Sequence, residues 1–92
     1  MYQMKDKVAL VVGGAKGIGL AVANRLAAEG AAVFFTGRAA DQVKASAAEI
    51  GHGATGLVAD AGSPQDLQRV VSAVRDAHGR LDALVLNAGL RS

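Results

Sequence analysis

The stretch Gly13-Gly14-Ala15-Lys16-Gly17-Ile18-Gly19 constrains this chain more than any other. It lies between an apolar run, Val8-Ala9-Leu10-Val11-Val12, and an amphipathic run that opens at Ile18. A continuous apolar run of this length reads as a buried strand, and the amphipathic run reads as a helix. Strand, glycine turn and helix in that order form a cradle for phosphate. The glycines allow a tight turn and close backbone approach, and the first N–H groups of the helix supply donors and positive potential. The spacing is G-x-x-x-G-x-G through Gly13, Gly17 and Gly19, one residue longer in its first gap than the common G-x-G-x-x-G. With 12 glycines in the chain, the pattern alone would only mark a turn. Its position between this strand and this helix makes it a candidate dinucleotide pyrophosphate site.

The rest of the sequence continues the same alternation. A first helix is expected from Gly17 to about Glu29, with Ile18, Val22 and Leu26 on one face and Gly30 as its stop. A second strand is expected over Ala32–Thr36 and a second helix over Ala40–Ile50, with Asp41 as N-cap and Gly51 as stop. The third strand is expected over Thr55–Ala59. The third helix has the clearest start: Ser63 as N-cap, Pro64 at N1 and Asp66 completing a Ser-x-x-Asp capping box. Leu67, Val70, Val71 and Val74 form its apolar stripe, Gly79 ends it, and a fourth strand follows over Asp82–Asn87. Alternating strands and helices with right-handed crossovers give an α/β fold. The expected form is a partial Rossmann fold, a four-stranded parallel sheet of order 3-2-1-4 with three helices, spanning residues 1–92 as one unit. The first two helices should cover one face and the third helix the other.

Composition fits this and excludes other classes. Hydrophobic residues make up 51% of the 92 residues but aromatics only 3%, so the core must be built from Val, Leu, Ile and Ala, as in parallel strands under Ala-rich helices. The net charge of +2 comes from scattered basic residues, without the basic face or aromatic platform of a nucleic-acid surface. The absence of cysteine excludes disulfides, thiolate catalysis and zinc-finger ligation within this sequence. No apolar run approaches the ~20 residues of a membrane span, and Val8–Val12 is too short for a signal-peptide core, so a cytoplasmic protein is expected.

Three separated motifs carry a family resemblance. Val12-Gly13-Gly14-Ala15-Lys16-Gly17-Ile18-Gly19 resembles the T-G-x-x-x-G-I-G loop of the short-chain dehydrogenase/reductase family. Leu86-Asn87-Ala88-Gly89 resembles that family's N-N-A-G motif, and Asp60 matches its adenine-contacting aspartate. The resemblance extends from the first strand to Gly89. It implies a cofactor site formed by Gly13, Lys16, Gly17, Ile18, Gly19, Arg38, Asp60, Asn87, Ala88 and Gly89. Two positions depart from the pattern: Val12 stands for the usual threonine and Leu86 for the first asparagine. Each loses a polar contact worth roughly 0.5–1.5 kcal/mol without adding bulk. Asp60 also fits an ordinary loop or helix-preceding cap, and Asn87 also fits a residue that closes the strand-four turn.

Charge bears on which dinucleotide is bound. A carboxylate at the end of the second strand accepts the ribose 2′-hydroxyl of NAD, whereas arginine accommodates a 2′-phosphate. Here Thr36-Gly37-Arg38 places glycine where the acid would stand, followed by arginine, and Lys16 adds a second cation. Two cations and no acid favour NADP, with NAD as the alternative, unless Lys16 and Arg38 are simply solvated.

The family's hydride transfer uses a tyrosine with a lysine four residues later, together with a serine, all beyond the N-A-G motif. The only tyrosine here is Tyr2; Lys5 and Lys7 follow it at three and five residues, so no Tyr-x-x-x-Lys is present. His52 and His78 sit beside glycines without a third partner and are read as solvent-exposed. The resemblance therefore implies the first half of an NAD(P)-dependent reductase, without catalytic residues of its own. The alternative is a non-catalytic nucleotide-binding or self-assembling unit. In either case the apolar fourth strand, with Leu84, Val85 and Leu86, should form a bare sheet edge, and homo-oligomerisation is expected through that edge or the adjacent face.

Overall fold

The computed structural model describes residues 5–13 and 17–86. The elements follow in the order β1 (Val8–Val12), α1 (Gly17–Ala28), β2 (Ala32–Gly37), α2 (Ala40–Ile50), β3 (Thr55–Val58), α3 (Pro64–His78) and β4 (Ala83–Leu86). The strands form one sheet of order β3-β2-β1-β4, and every pairing is parallel. This is the expected α/β, Rossmann-like arrangement. Leu10 is at its centre, level with Phe34 of β2 on one side and Leu84 of β4 on the other.

The period-two alternation of side chains sorts the sheet into two cores. Ala9, Val11, Val33 and Phe35 face α1 and α2, packing with Ala23, Ala27, Val43 and Ile50. Val8, Leu10, Val12 and Phe34 face α3, packing with Val70 and Val74. All of β1 is buried because helices cover both of its faces, which explains its unbroken apolar sequence. The outer strands are different. On the α3 side of β4, Leu84 and Leu86 are 50% and 65% exposed, beyond the reach of the single helix on that face.

The helix ends conform in part to the expectations. Gly79 closes α3 in the left-handed region at φ 72° and donates its N–H to the Arg75 carbonyl. Gly51, at φ 66°, closes α2 onto Ala47. Ser63 caps α3 by accepting the Asp66 N–H at 3.2 Å. The expected reciprocal half of that capping box is not formed. The Asp66 carboxylate accepts the Asp60 N–H at 2.8 Å instead, and the Ser63 N–H goes to the Asp60 carbonyl. Asp41 is not the N-cap of α2. Ala39 occupies that place without a side-chain cap, and Asp41 lies within the first turn, where its charge still complements the helix dipole.

The larger correction concerns α1. Its buried row is Gly19, Ala23 and Ala27, not Ile18, Val22 and Leu26. Ile18 is 75% exposed, and Val22 and Leu26 are half-buried at the rim of the core. Both rows repeat every four residues, so periodicity alone does not separate them. Close packing of the helix axis on the sheet favours the row with the smallest side chains, and the bulkier row flanks the contact.

Candidate functional site

The C-terminal ends of the strands carry the residues singled out by the sequence. In an open parallel sheet this edge binds ligands where the strand order reverses. That point is β1, which has β2 on one side and β4 on the other. The β1–α1 connection leaves β1 at Gly13 and enters the helix at Gly17, with φ of 86° and 63°. Both ends of the loop thus require the left-handed region, which only glycine adopts without cost. A Cβ at Gly17 would meet nothing within 4 Å, so backbone conformation demands glycine there, and the space beside it is open. Gly19, two residues into α1, is buried, whereas Ile18 points outward.

Thr36, at the end of β2, reaches this loop. Its hydroxyl accepts the Gly13 N–H at 3.0 Å, and the residue is 1% exposed. Arg38, beyond it, is exposed, and no carboxylate pairs with it among the described residues. The ends of β2 and β3 are held together: Gly37 is level with Val58, and the Ala59 N–H donates to the Gly37 carbonyl at 2.9 Å. Arg38 and Asp60 therefore emerge from adjacent strand ends. Asp60 is exposed, and its Oδ1 accepts the Gly62 N–H at 2.8 Å in a tight turn. Helix α3 anchors that turn. Asp66 takes the Asp60 N–H, and Arg69 donates to the Val58 carbonyl at 3.0 Å while its guanidinium lies 3.6 Å from Asp66.

The structure thus brings Gly13, Gly17, Ile18, Gly19, Arg38 and Asp60 to one edge of the sheet. Lys16, Asn87, Ala88 and Gly89 lie outside the described residues. Two further residues support this edge, Thr36 through Gly13 and Asp66 through Asp60, beyond the candidate site residues of the sequence. Thr36 left a signal, as the one polar side chain in the otherwise apolar β2. Asp66 left none beyond its place in Ser-x-x-Asp.

The opposite edge is chemically different. There a cleft of about 430 Å³ is lined by Lys7, His52, His78 and Arg80 among others. Helices α1, α2 and α3 end at this edge, and their C-terminal partial negative charge complements basic side chains there. Both histidines are exposed, as expected, and His78 sets its ring edge-on to Phe34 with centroids 5.4 Å apart. Asp82 and Arg80 form a bidentate pair beside the cleft. The Arg80 hydrogen bond, then the Val8 N–H, hold the Asp82 carboxyl below its usual range, and Asp82 raises Arg80. No group of three or more His, Cys, Asp or Glu that could hold a metal ion occurs among the described residues. No helix among them is long and apolar enough to cross a membrane.

Comparison with known proteins places this geometry. The short chain dehydrogenase family profile matches residues 7–92. The pig (Sus scrofa) dehydrogenase/reductase SDR family member 4 is 39% identical over 90 residues, covering 95% of this chain and 32% of that protein. The 3-oxoacyl-(acyl-carrier-protein) reductase FabG of Escherichia coli (strain K12) is 37% identical over 86 residues, covering 94% of this chain and 35% of its own. Among solved structures, a short-chain dehydrogenase/reductase variant from Serratia marcescens superposes with a TM-score of 0.89 at 42% identity, over 97% of this chain and 38% of that one. A second, described as a short chain dehydrogenase/reductase family protein, gives a TM-score of 0.87 at 42% identity, over 98% and 36%. The chain therefore spans about a third of the length of the relatives it matches.

Proposed function

Since this chain belongs to the short chain dehydrogenase family, we propose that it is the dinucleotide-binding half of an NAD(P)-dependent oxidoreductase, with a preference for NADP. The observation that carries this reading is the β1–α1 connection. Its two glycines, Gly13 and Gly17, have positive φ beside the strand where the sheet order reverses. Two features support a phosphate ligand there: the space a Cβ would take at Gly17 is open, and the first N–H groups of a helix have no partner within it.

Each residue has a part in this reading. The backbone from Gly13 to Gly19 holds the pyrophosphate. Arg38, and Lys16 within the loop, meet the 2′-phosphate of NADP, where a fork of guanidinium donors suits phosphate oxygens. Asp60 meets the adenine ring with its second carboxylate oxygen, since Oδ1 is committed to Gly62. Asn87, Ala88 and Gly89 border the cofactor at the end of β4. When bound, the nicotinamide supplies the hydride of the family's redox chemistry.

A second reading, a non-catalytic nucleotide-binding or self-assembling unit, draws on the exposed side of β4. Leu84 and Leu86 leave an apolar strip along β4, through which a second copy would associate. Calorimetric titration of wild type and Arg38→Asp with NADPH and NADH tests the first reading. Wild type should bind NADPH at least tenfold more tightly, and the variant should lose that preference. Equal affinity of wild type for the two cofactors overturns the NADP assignment, and binding of neither overturns the site. An assay with NADPH and a reactive dicarbonyl should show no turnover by these 92 residues alone; turnover would remove the second reading.

A further inference from the structure

We propose that Thr36 is a positioning residue for the phosphate loop, its buried hydroxyl fixing the Gly13 amide where β1 turns into the loop. The inference rests on the dinucleotide reading above and extends it to a residue on a different strand. Gly13 is the hinge of that turn. At φ 86° it lies outside the strand conformation, at the point where β1 gives way to the loop. The Thr36 hydroxyl takes its N–H at 3.0 Å across 23 residues of sequence. Thr36 follows Phe35 in β2, and Phe35 belongs to the core under α1 and α2, so strand alternation turns Thr36 to the α3 face. Val12 is on that same face and carries no polar atom. The side-chain hydroxyl at this level of the sheet therefore comes from β2 rather than β1.

Burial makes the contact selective. At 1% exposure, the Thr36 oxygen is screened from solvent, so water does not readily replace it as the partner of Gly13. The β-branched side chain has restricted χ1 freedom in a strand, which limits the positions the hydroxyl can take. Fixing the first peptide of a glycine-rich loop lowers the ordering cost when a phosphate binds, because glycine otherwise loses the most backbone freedom. Thr36 thus acts on the cofactor through Gly13.

The test compares wild type with Thr36→Val and Thr36→Ala, which both lack the hydroxyl, and with Thr36→Ser, which keeps it. Amide hydrogen exchange at Gly13 is measured without cofactor, with Ala9 and Val11 as references inside β1. NADPH affinity is then measured by titration. The expected result is faster exchange at Gly13 in the Val and Ala variants, with Ala9 and Val11 unchanged, and restoration in the Ser variant. NADPH binding should weaken roughly three- to tenfold on loss of the hydroxyl and return with serine. Two variants are used so that one that fails to fold leaves the other. Unchanged Gly13 exchange in a folded variant without the hydroxyl overturns the proposal. Faster exchange with unchanged NADPH affinity overturns its positioning role. Failure of the wild type to bind any dinucleotide overturns the cofactor reading itself, and the exchange measurement still reports separately whether Thr36 holds Gly13.

Discussion

Asp82 meets Val8 twice: its N–H donates to the Val8 carbonyl at 2.8 Å, and its carboxylate accepts the Val8 N–H at 2.7 Å. The two residues are 74 positions apart, and together they lock the start of β4 to the start of β1. Arg80 completes the lock with three hydrogen bonds to the same carboxylate. The pairing carries a pH signature. The folded state holds the Asp82 carboxyl below its ordinary value of 3.8, chiefly through Arg80 and then through the Val8 N–H. A depressed folded pKa gives stability that is present above the unfolded pKa and lost as pH falls through the folded one. Asp82→Asn should therefore be less stable than wild type near neutral pH. The gap between their denaturant midpoints should close as pH falls below about 3.8, towards the lower folded pKa. Added salt should narrow it too, since the pair is open to solvent.

Gly56 lies in β3 level with Phe35. A Cβ there would collide with the Val43 Cγ1 and come within 2.8 Å of the Phe35 Cζ. Phe35 is fully buried and Val43 nearly so, and neither has room to retreat. Gly56→Ala should destabilise the chain by about 1–3 kcal/mol, the usual cost of overpacking, read as a lower urea midpoint with unchanged slope. An unchanged midpoint would mean that the edge strand moves away from the helix to admit the methyl.

Ser63 caps α3 through the Asp66 N–H. Ser63→Ala should cost about 1 kcal/mol. Because Asp66 and Arg69 also anchor the end of β3, the variant should loosen the Asp60 turn as well. Amide exchange at Gly62, whose N–H is held by Asp60, should then quicken along with the first turn of α3. Quickening confined to the helix would separate the two anchors.

The strip made by Leu84 and Leu86 should drive self-association of this chain. Static light scattering at tens of micromolar should show species larger than a monomer. Leu84→Lys combined with Leu86→Glu should shift the distribution towards monomer, since charged edge residues oppose strand pairing. A wild-type chain that remains monomeric at that concentration would count against association through β4.

Much of this architecture is legible in the amino-acid sequence. The bounds of β1, α2 and α3 match the sequence expectation, and those of α1, β2 and β3 and the start of β4 differ by one residue. Each is marked locally, by an apolar run, a glycine stop or the Ser63-Pro64 start. Apart from Asp41 as N-cap of α2, the expectations that failed concern partners rather than elements. Asp66 has Asp60 within reach as well as Ser63, and the sequence does not say which N–H its carboxylate takes. In α1, two rows with the same four-residue repeat lie side by side, and the row of larger hydrophobes drew the expectation.

The sequence by itself determined the order of elements, the strand order β3-β2-β1-β4 and the placement of glycine at the β1–α1 turn. These follow from short-range periodicity, capping chemistry and the fixed handedness of crossovers. Only the tertiary structure decided that Thr36 holds Gly13, that Asp82 holds Val8, and that α1 buries Gly19, Ala23 and Ala27. The first two join strands across 23 and 74 residues of chain, and the third is a packing of helix on sheet. Their identity depends on register and on how closely two surfaces approach, and a shift of one residue within a strand would turn its side chains to the other face.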